Sequence, residues 1–353
     1  MKFHHALTHI PLALAAFALT SPQAWAQDAT APVESAVVEE APTKNPASGG
    51  HIDMHELKMQ ILDGLEFHGF VDASYVLSGD KKFSTISNTF SFEQAELDII
   101  KNWDKVGFRF DVQWKGGVAG VEQGYMVWNP VDSLSLTFGT FLAPIGWEYV
   151  DPTDMYQYSN AYVFTYGLPV FYTGALAKYT AGIMDLQLYA VNGFDTYYDL
   201  DAQKAGGGRL GLTPTDAINV GLSAVYNHKD VVIADLDFTL SGDGYKVGAE
   251  FNYGQDTFGA LEGNGWMGAL LMTNIALTDS AALTLRGDWF DNGDGYKAIA
   301  TTATPAQHIR GTVSPSYAFT SNATILAEYT YEHITAGPTT GTHLIAIEPT
   351  FKF

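Results

Sequence analysis

The residues able to do chemistry in this chain are few and scattered. Asp291-Asn292-Gly293-Asp294-Gly295 sets oxygen donors around glycines, as in part of a calcium loop. Such a loop needs a bidentate Glu twelve positions on, counting from Asp291, and position 302 is Thr, so a plain hairpin loop explains the stretch better. Asp195, Asp199 and Asp201 form another acidic loop, suited either to divalent ions near lipopolysaccharide or simply to solvent. Glu332 and His333 are neighbours, and in an extended segment their side chains point to opposite faces. None of the ten His has the H-E-x-x-H spacing of a zinc hydrolase. There is no G-x-S-x-G elbow or phosphate-cradling glycine motif, and Gly206-Gly207-Gly208 reads as easing a loop into a strand. With 0 Cys, thiolate catalysis, disulfides and Cys-ligated metals are excluded. The expectation is no enzyme and no cofactor.

The remaining ionisable residues follow a pattern that belongs to secondary structure. Val106, Phe108, Phe110, Val112 and Trp114 alternate with Gly107, Arg109, Asp111, Gln113 and Lys115. One face is wholly apolar and the other is charged or small and polar, which is the period of a β-strand. Similar ladders run through Ile218–Tyr226, Tyr245–Tyr253, Met267–Ile275 and Ala323–Tyr331. From Leu65 onward about sixteen such runs can be counted, most near the ~10 residues that cross a bilayer when tilted. Short connections (102–105, 129–133, 181–182, 214–217, 241–244, 278–281 and 320–322) alternate with a set that includes the long segments 143–170, 193–206 and 291–305. Such alternation is expected of periplasmic turns and extracellular loops.

The chain's ends and composition agree with export. Residues 1–26 have a basic start at Lys2, an apolar run from Ile10 to Leu19, and Ala24-Trp25-Ala26 at a cleavage site. That is a secretory signal peptide, too short to span a bilayer as a helix. Residues 27–64 form an acidic Ala/Pro-rich periplasmic tether, with weak helical spacing at Leu57, Ile61, Leu62 and Leu65. Charged residues are only 16% of the chain, against roughly 25% in an average globular protein, and the net charge is −21. Nucleic acid is therefore excluded as a partner, since phosphate binding needs clustered Lys and Arg.

The expected fold is all-β: a transmembrane antiparallel up-and-down barrel of about sixteen strands spanning residues 65–353. Its competitor is a soluble β-sandwich with the ladders packed inward. Strand length, export and the Tyr and Trp at strand ends (Trp103, Trp128, Tyr226, Tyr253, Trp289 and Tyr331) favour the membrane. So does the last strand, whose outward Ile345, Ile347, Pro349 and Phe351 end in Phe353, resembling the insertion signal of bacterial outer-membrane barrels.

Strand parity then assigns the lumen wall. Its expected acids are Asp72, Glu96, Asp98, Asp111, Asp185, Asp235, Asp237, Glu250, Asp288, Glu328, Glu332 and Glu348. Its expected bases are Arg109, Lys115, Lys178, Arg209, Lys246, Arg286, Arg310 and Lys352. Acids exceed bases, and acidic rings favour cations. Residues 143–170 add Glu148, Asp151 and Asp154 among many aromatics, including Trp147, Tyr149, Tyr156, Tyr162, Phe164 and Tyr166. Aromatics this dense need a surface. Folding into the mouth as a constriction would supply one; packing over the rim or on a second subunit would too.

The same region carries a resemblance. Phe138-Gly139, Pro144-Ile145-Gly146-Trp147-Glu148, Tyr158-Ser159-Asn160, Gly167-Leu168-Pro169 and Thr173-Gly174 resemble the OmpL-like β-barrel porin family, as does Gln94-Ala95-Glu96-Leu97 upstream. The resemblance implies an outer-membrane porin and supplies no catalytic residues. The expectation from pattern and resemblance together is a water-filled, weakly cation-selective diffusion channel. Its expected partners are outer-membrane lipid and lipopolysaccharide, the insertion machinery, and further copies of itself. Two alternatives stand beside it. One is a non-conducting structural or adhesive barrel; the other is a lipid hydrolase, for which parity brings no convincing Ser and His together on the outer surface.

Overall fold

A backbone whose side chains alternate apolar and polar can satisfy its hydrogen bonds in lipid only by closing on itself. The computed structural model has that form and describes residues 64–80, 82, 86–228, 231–257, 263–293, 305–335 and 340–353. The signal peptide and most of the tether, including the weak helical spacing at Leu57, Ile61 and Leu62, lie outside the described residues.

Sixteen strands run from β1 (Leu65–Asp80) and β2 (Ile86–Asn102) to β16 (Thr340–Lys352). Each pairs antiparallel with its chain neighbours, and β1 closes the barrel on β16. At one end the connections are two to four residues long, as in 103–105, 182–183 and 277–280. The other end carries the long segments, above all 143–170 between β5 (Leu134–Leu142) and β6 (Phe171–Ala181). Most strands have 9 to 14 residues. At ~3.3 Å per residue and a tilt near 45°, twelve residues rise about 28 Å, close to the ~25 Å apolar band of an outer-membrane barrel.

Which face looks out is settled by exposure. On β3 (Val106–Lys115), Phe110 is 39% exposed and its neighbour Asp111 0%; on β9 (Ile218–Tyr226), Leu222 is 56% exposed and Ser223 1%. The apolar ladders therefore form the outer belt, and the ionised groups are enclosed. Reversing one strand would put Arg or Lys in lipid at ~2–4 kcal/mol near the midplane. Trp103, Trp128, Tyr226 and Tyr253 stand exposed on the outside near strand ends. The last residue finishes the cylinder: Phe353 N–H donates to Gly69 O (2.9 Å) and Gly69 N–H to Phe353 O (3.1 Å).

The inner face departs from the expected alternation in two ways. β-bulges at Asp72/Ala73 and at Phe110/Val112 turn extra residues inward. In addition, β12 (Gly265–Ala276) is apolar on both faces: Trp266, Leu270 and Met272 are buried inside while Met267 and Leu271 are exposed outside. Something apolar must lie against that inner face.

Candidate functional site

What lies there is residues 143–170. Ala143 N–H donates to Val170 O (2.9 Å), joining the segment's two ends, and the residues between cross the lumen. Its core is apolar. Trp147, Ala161 and Val163 pack on Leu270 and Met272, while Ile145, Tyr162 and Leu168 join Tyr172, Tyr189, Ile233, Trp266 and Phe290. The wall makes room with glycine: a Cβ at Gly248 would sit 1.9 Å from the Trp147 ring. Gly146 turns the chain inward at a φ of +92°, which disfavours any residue with a side chain.

Polar contacts fix the segment on opposite walls. Toward β10 (Val231–Gly242) and β11 (Tyr245–Asp256), Trp147 N–H donates to Glu250 Oε2 and its Nε1 to Thr239 Oγ1, both at 2.8 Å. Toward β15 (Ala323–Ile334), Ser159 N–H and Oγ–H donate to the two carboxylate oxygens of Glu328 at 2.9 and 2.6 Å. Toward β2, Tyr158 O–H donates to Glu93 Oε1 (3.1 Å). Between these, a short helix α1 (Tyr162–Gly167) has its Val163 and Gly167 carbonyls capped by Asn252 Nδ2 (2.9 Å) and Trp266 Nε1 (3.2 Å).

Two arginines anchor the middle. On β13 (Ala281–Asp291), Arg286 donates to Glu148 (3.2 Å), to Asp288 (3.0 Å) and to the Ser159 carbonyl. On β14 (Gln307–Ala318), Arg310 donates to Asp288 (3.0 Å) and to Asn160 O (2.5 Å), and its guanidinium carbon lies 4.0 Å from the Tyr162 ring centroid. Burial pushes the Glu148 carboxyl up to about 7, with Arg286 pulling the other way. Burial, reinforced by the charge of Glu122, holds Asp151 well above the ordinary carboxylate range.

Most of the acids and bases assigned by parity are enclosed by the barrel. Asp72, Glu96, Asp111, Asp235, Asp237, Glu250, Asp288, Glu328, Glu332, Glu348, Arg109, Arg209, Arg286 and Arg310 are buried there. Asp98, Asp185, Lys115, Lys178 and Lys246 are partly covered, and Lys352 is exposed at the barrel's end. Local ion pairs absorb the arginines. Arg109 forks onto Asp111 (2.8 Å) and reaches Asp98 (3.1 Å), and Arg209 pairs with Asp237. Acids also face acids: Asp72 lies against Glu348 and Glu93, and Asp235 against Glu250. Of the segment's acids, Glu148 and Asp151 are enclosed and Asp154 is exposed.

Parity missed Glu93, Glu122 and Gln123, which the bulges turn inward and which single-strand counting cannot register. It also missed the buried pair His308 Nδ1···Glu332 Oε1 (2.7 Å), drawn together from β14 and β15 inside the barrel. The two acidic loops satisfy themselves. Asp195 Oδ1 accepts from Val170 and Phe171 N–H, and Asp291 Oδ1 from Gly293 N–H (2.9 Å); Asp294 and Gly295 lie outside the described residues. Lys204 Nζ donates to Asp199 Oδ2 (2.7 Å), and that contact holds the Asp199 carboxyl below its usual range.

A closed antiparallel barrel of sixteen strands, greasy outside and ionised within, defines a bacterial outer-membrane β-barrel in direct contact with lipid. Over residues 64–345 the chain matches the family model described as "Putative beta-barrel porin-2, OmpL-like", and it belongs to that family. Among solved structures it is similar to the outer membrane channel DcaP of Acinetobacter baumannii, at a TM-score of 0.62 and 13% identity, covering 82% of this chain and 97% of that one. It is similar also to an anion-selective porin from Comamonas acidovorans (TM-score 0.61, 8% identity, 82% and 99% covered). A third is the outer-membrane expressed OmpT of Vibrio cholerae (TM-score 0.59, 12% identity, 82% and 97% covered). At these identities the likeness concerns the fold. No curated protein matches the sequence.

Proposed function

We propose that the protein is a passive-diffusion porin for small hydrophilic solutes or ions, narrowed by residues 143–170 and mildly cation-selective, with no catalytic step. The observation that carries this reading is the unequal charge balance of the wall. Its arginines are spent on adjacent carboxylates, whereas Asp72, Asp235, Glu250 and Glu348 confront other acids. The sign of selectivity is taken from this chain's own residues, since a barrel of the same fold is described as anion-selective. Neutralising Asp98, Asp111 and Glu250 together (Asp98→Asn, Asp111→Asn, Glu250→Gln) should shift the reversal potential in a salt gradient toward anions. An unchanged potential in a correctly refolded variant would refute the assignment.

A second reading, a barrel sealed by its own loop, draws on the near-complete burial of the charged wall around the segment. It expects no steps of current until the segment is removed. In either reading we assign the strand ending in Phe353 to recognition by the insertion machinery, and the acidic loop at Asp195–Asp201 to the lipopolysaccharide side. Self-association through the apolar belt belongs to the same proposal.

A further inference from the structure

The wall holds one grouping that diffusion does not require. Glu96 on β2, Asp111 on β3 and Glu122 on β4 (Val118–Val131) each offer a carboxylate oxygen, and the three oxygens lie within 4.8 Å of one another. Negative charges this close repel strongly where little water intervenes, so the grouping calls for protons or a cation. Oxygens at about 2.3–2.6 Å from a calcium ion stand up to roughly 5 Å apart across the shell, which accommodates this spacing. Every donor is oxygen, the choice of a hard ion rather than a soft one.

Two further groups point at a ligand. Asp151, from the infolded segment, is 7% exposed; its Oδ1 has no hydrogen-bond partner, and Glu122 is the foremost of the charges that act on it. Gln94 is 1% exposed and donates through Nε2 to Glu96 Oε2 (2.9 Å), while its carbonyl Oε1 has no partner. A carboxylate can relieve its isolation by taking a proton, but an amide carbonyl cannot, and burying it unmade is costly. Arg109 meets part of the charge, at Asp111 and Asp98. Glu96 Oε1 and Glu122 Oε1 still lack partners.

We propose that Glu96, Asp111, Glu122 and Asp151, with Gln94 beside them, bind a divalent cation, calcium first, which ties the infolded segment to the β2–β4 wall. This goes beyond the channel reading, because a barrel can conduct without the ion and bind the ion without conducting. The test uses the full chain refolded in zwitterionic detergent free of lipopolysaccharide, stripped with chelator and titrated with calcium chloride in a calorimeter. One ion per barrel should bind with a Kd at or below ~10⁻³ M, the weak end for oxygen-ligand sites. The midpoint of thermal unfolding should rise with calcium. Glu122→Gln should weaken binding at least tenfold, and Asp279→Asn, in a turn remote from the cluster, should leave it unchanged. Asp151→Asn lies off the barrel wall, so it carries the test if Glu122→Gln does not refold. A wild-type barrel that binds neither calcium nor magnesium at millimolar concentration overturns the proposal, as does an Asp151→Asn barrel that binds like the wild type.

Discussion

Arg286 is the residue on which most of the constriction converges, since it joins Glu148, Ser159 and Asp288. Removing one partner of a buried ionic network costs about 3–5 kcal/mol, because the others stay buried with nothing to meet them. Arg286→Ala should therefore release the segment's middle while the barrel survives, and single-channel recordings should show larger, noisier openings. The pH dependence has a definite sign. Glu148, with its carboxyl pushed up to about 7, faces Arg286, Asp288 and Arg310. It loses its proton as pH rises through that value, and Asp151 does so at no lower a pH than an ordinary carboxylate. The constriction gains negative charge, so the cation preference read from reversal potentials should increase from pH 6 to pH 8. A preference that falls over this range contradicts these placements.

At the scale of elements, the legible and the illegible parts of the sequence divide cleanly. Strand positions and the inward charges were readable because a period of two survives in most strands, as in Arg109 and Asp111 against Phe108 and Phe110. Bulges erase that record, since one extra residue re-aims Glu93 or Glu122 without altering composition. The segment 143–170 announced itself by its aromatics, but not where it would pack. The deciding signal was on other strands: Trp266, Leu270 and Met272 make β12 apolar on the inside, and Gly248 leaves the notch filled by Trp147. That complementarity is tertiary and has no local period. Trp147→Ala empties the notch and removes the indole's hydrogen bond to Thr239, while the backbone N–H bond to Glu250 remains available. A buried Trp→Ala change typically costs ~3–5 kcal/mol. The expected result is a lower thermal midpoint together with a wider pore, measured as higher conductance in the same variant.

For the molecule as a whole, the governing fact is that the greasy face is the outer one. Leu222, mid-strand on β9 and open to lipid, should tolerate Val or Phe but not Arg. Leu222→Arg is expected to destabilise the inserted barrel by ~2–4 kcal/mol in folding titrations from urea into lipid vesicles. The same titration on Leu222→Val should shift little, and equal tolerance of both would deny that this face meets acyl chains. The fold thus separates two tasks. The outside fixes residence in the outer membrane, and the inside carries the charged groups and the infolded segment to which we assign the restriction of passage. Planar-bilayer recording of the purified protein, beside a variant with residues 147–161 replaced by a short flexible linker, tests that division most directly. The expected result is small stepwise conductance from the intact chain and distinctly larger steps from the variant. Silence from both, with each inserted and folded, would contradict it.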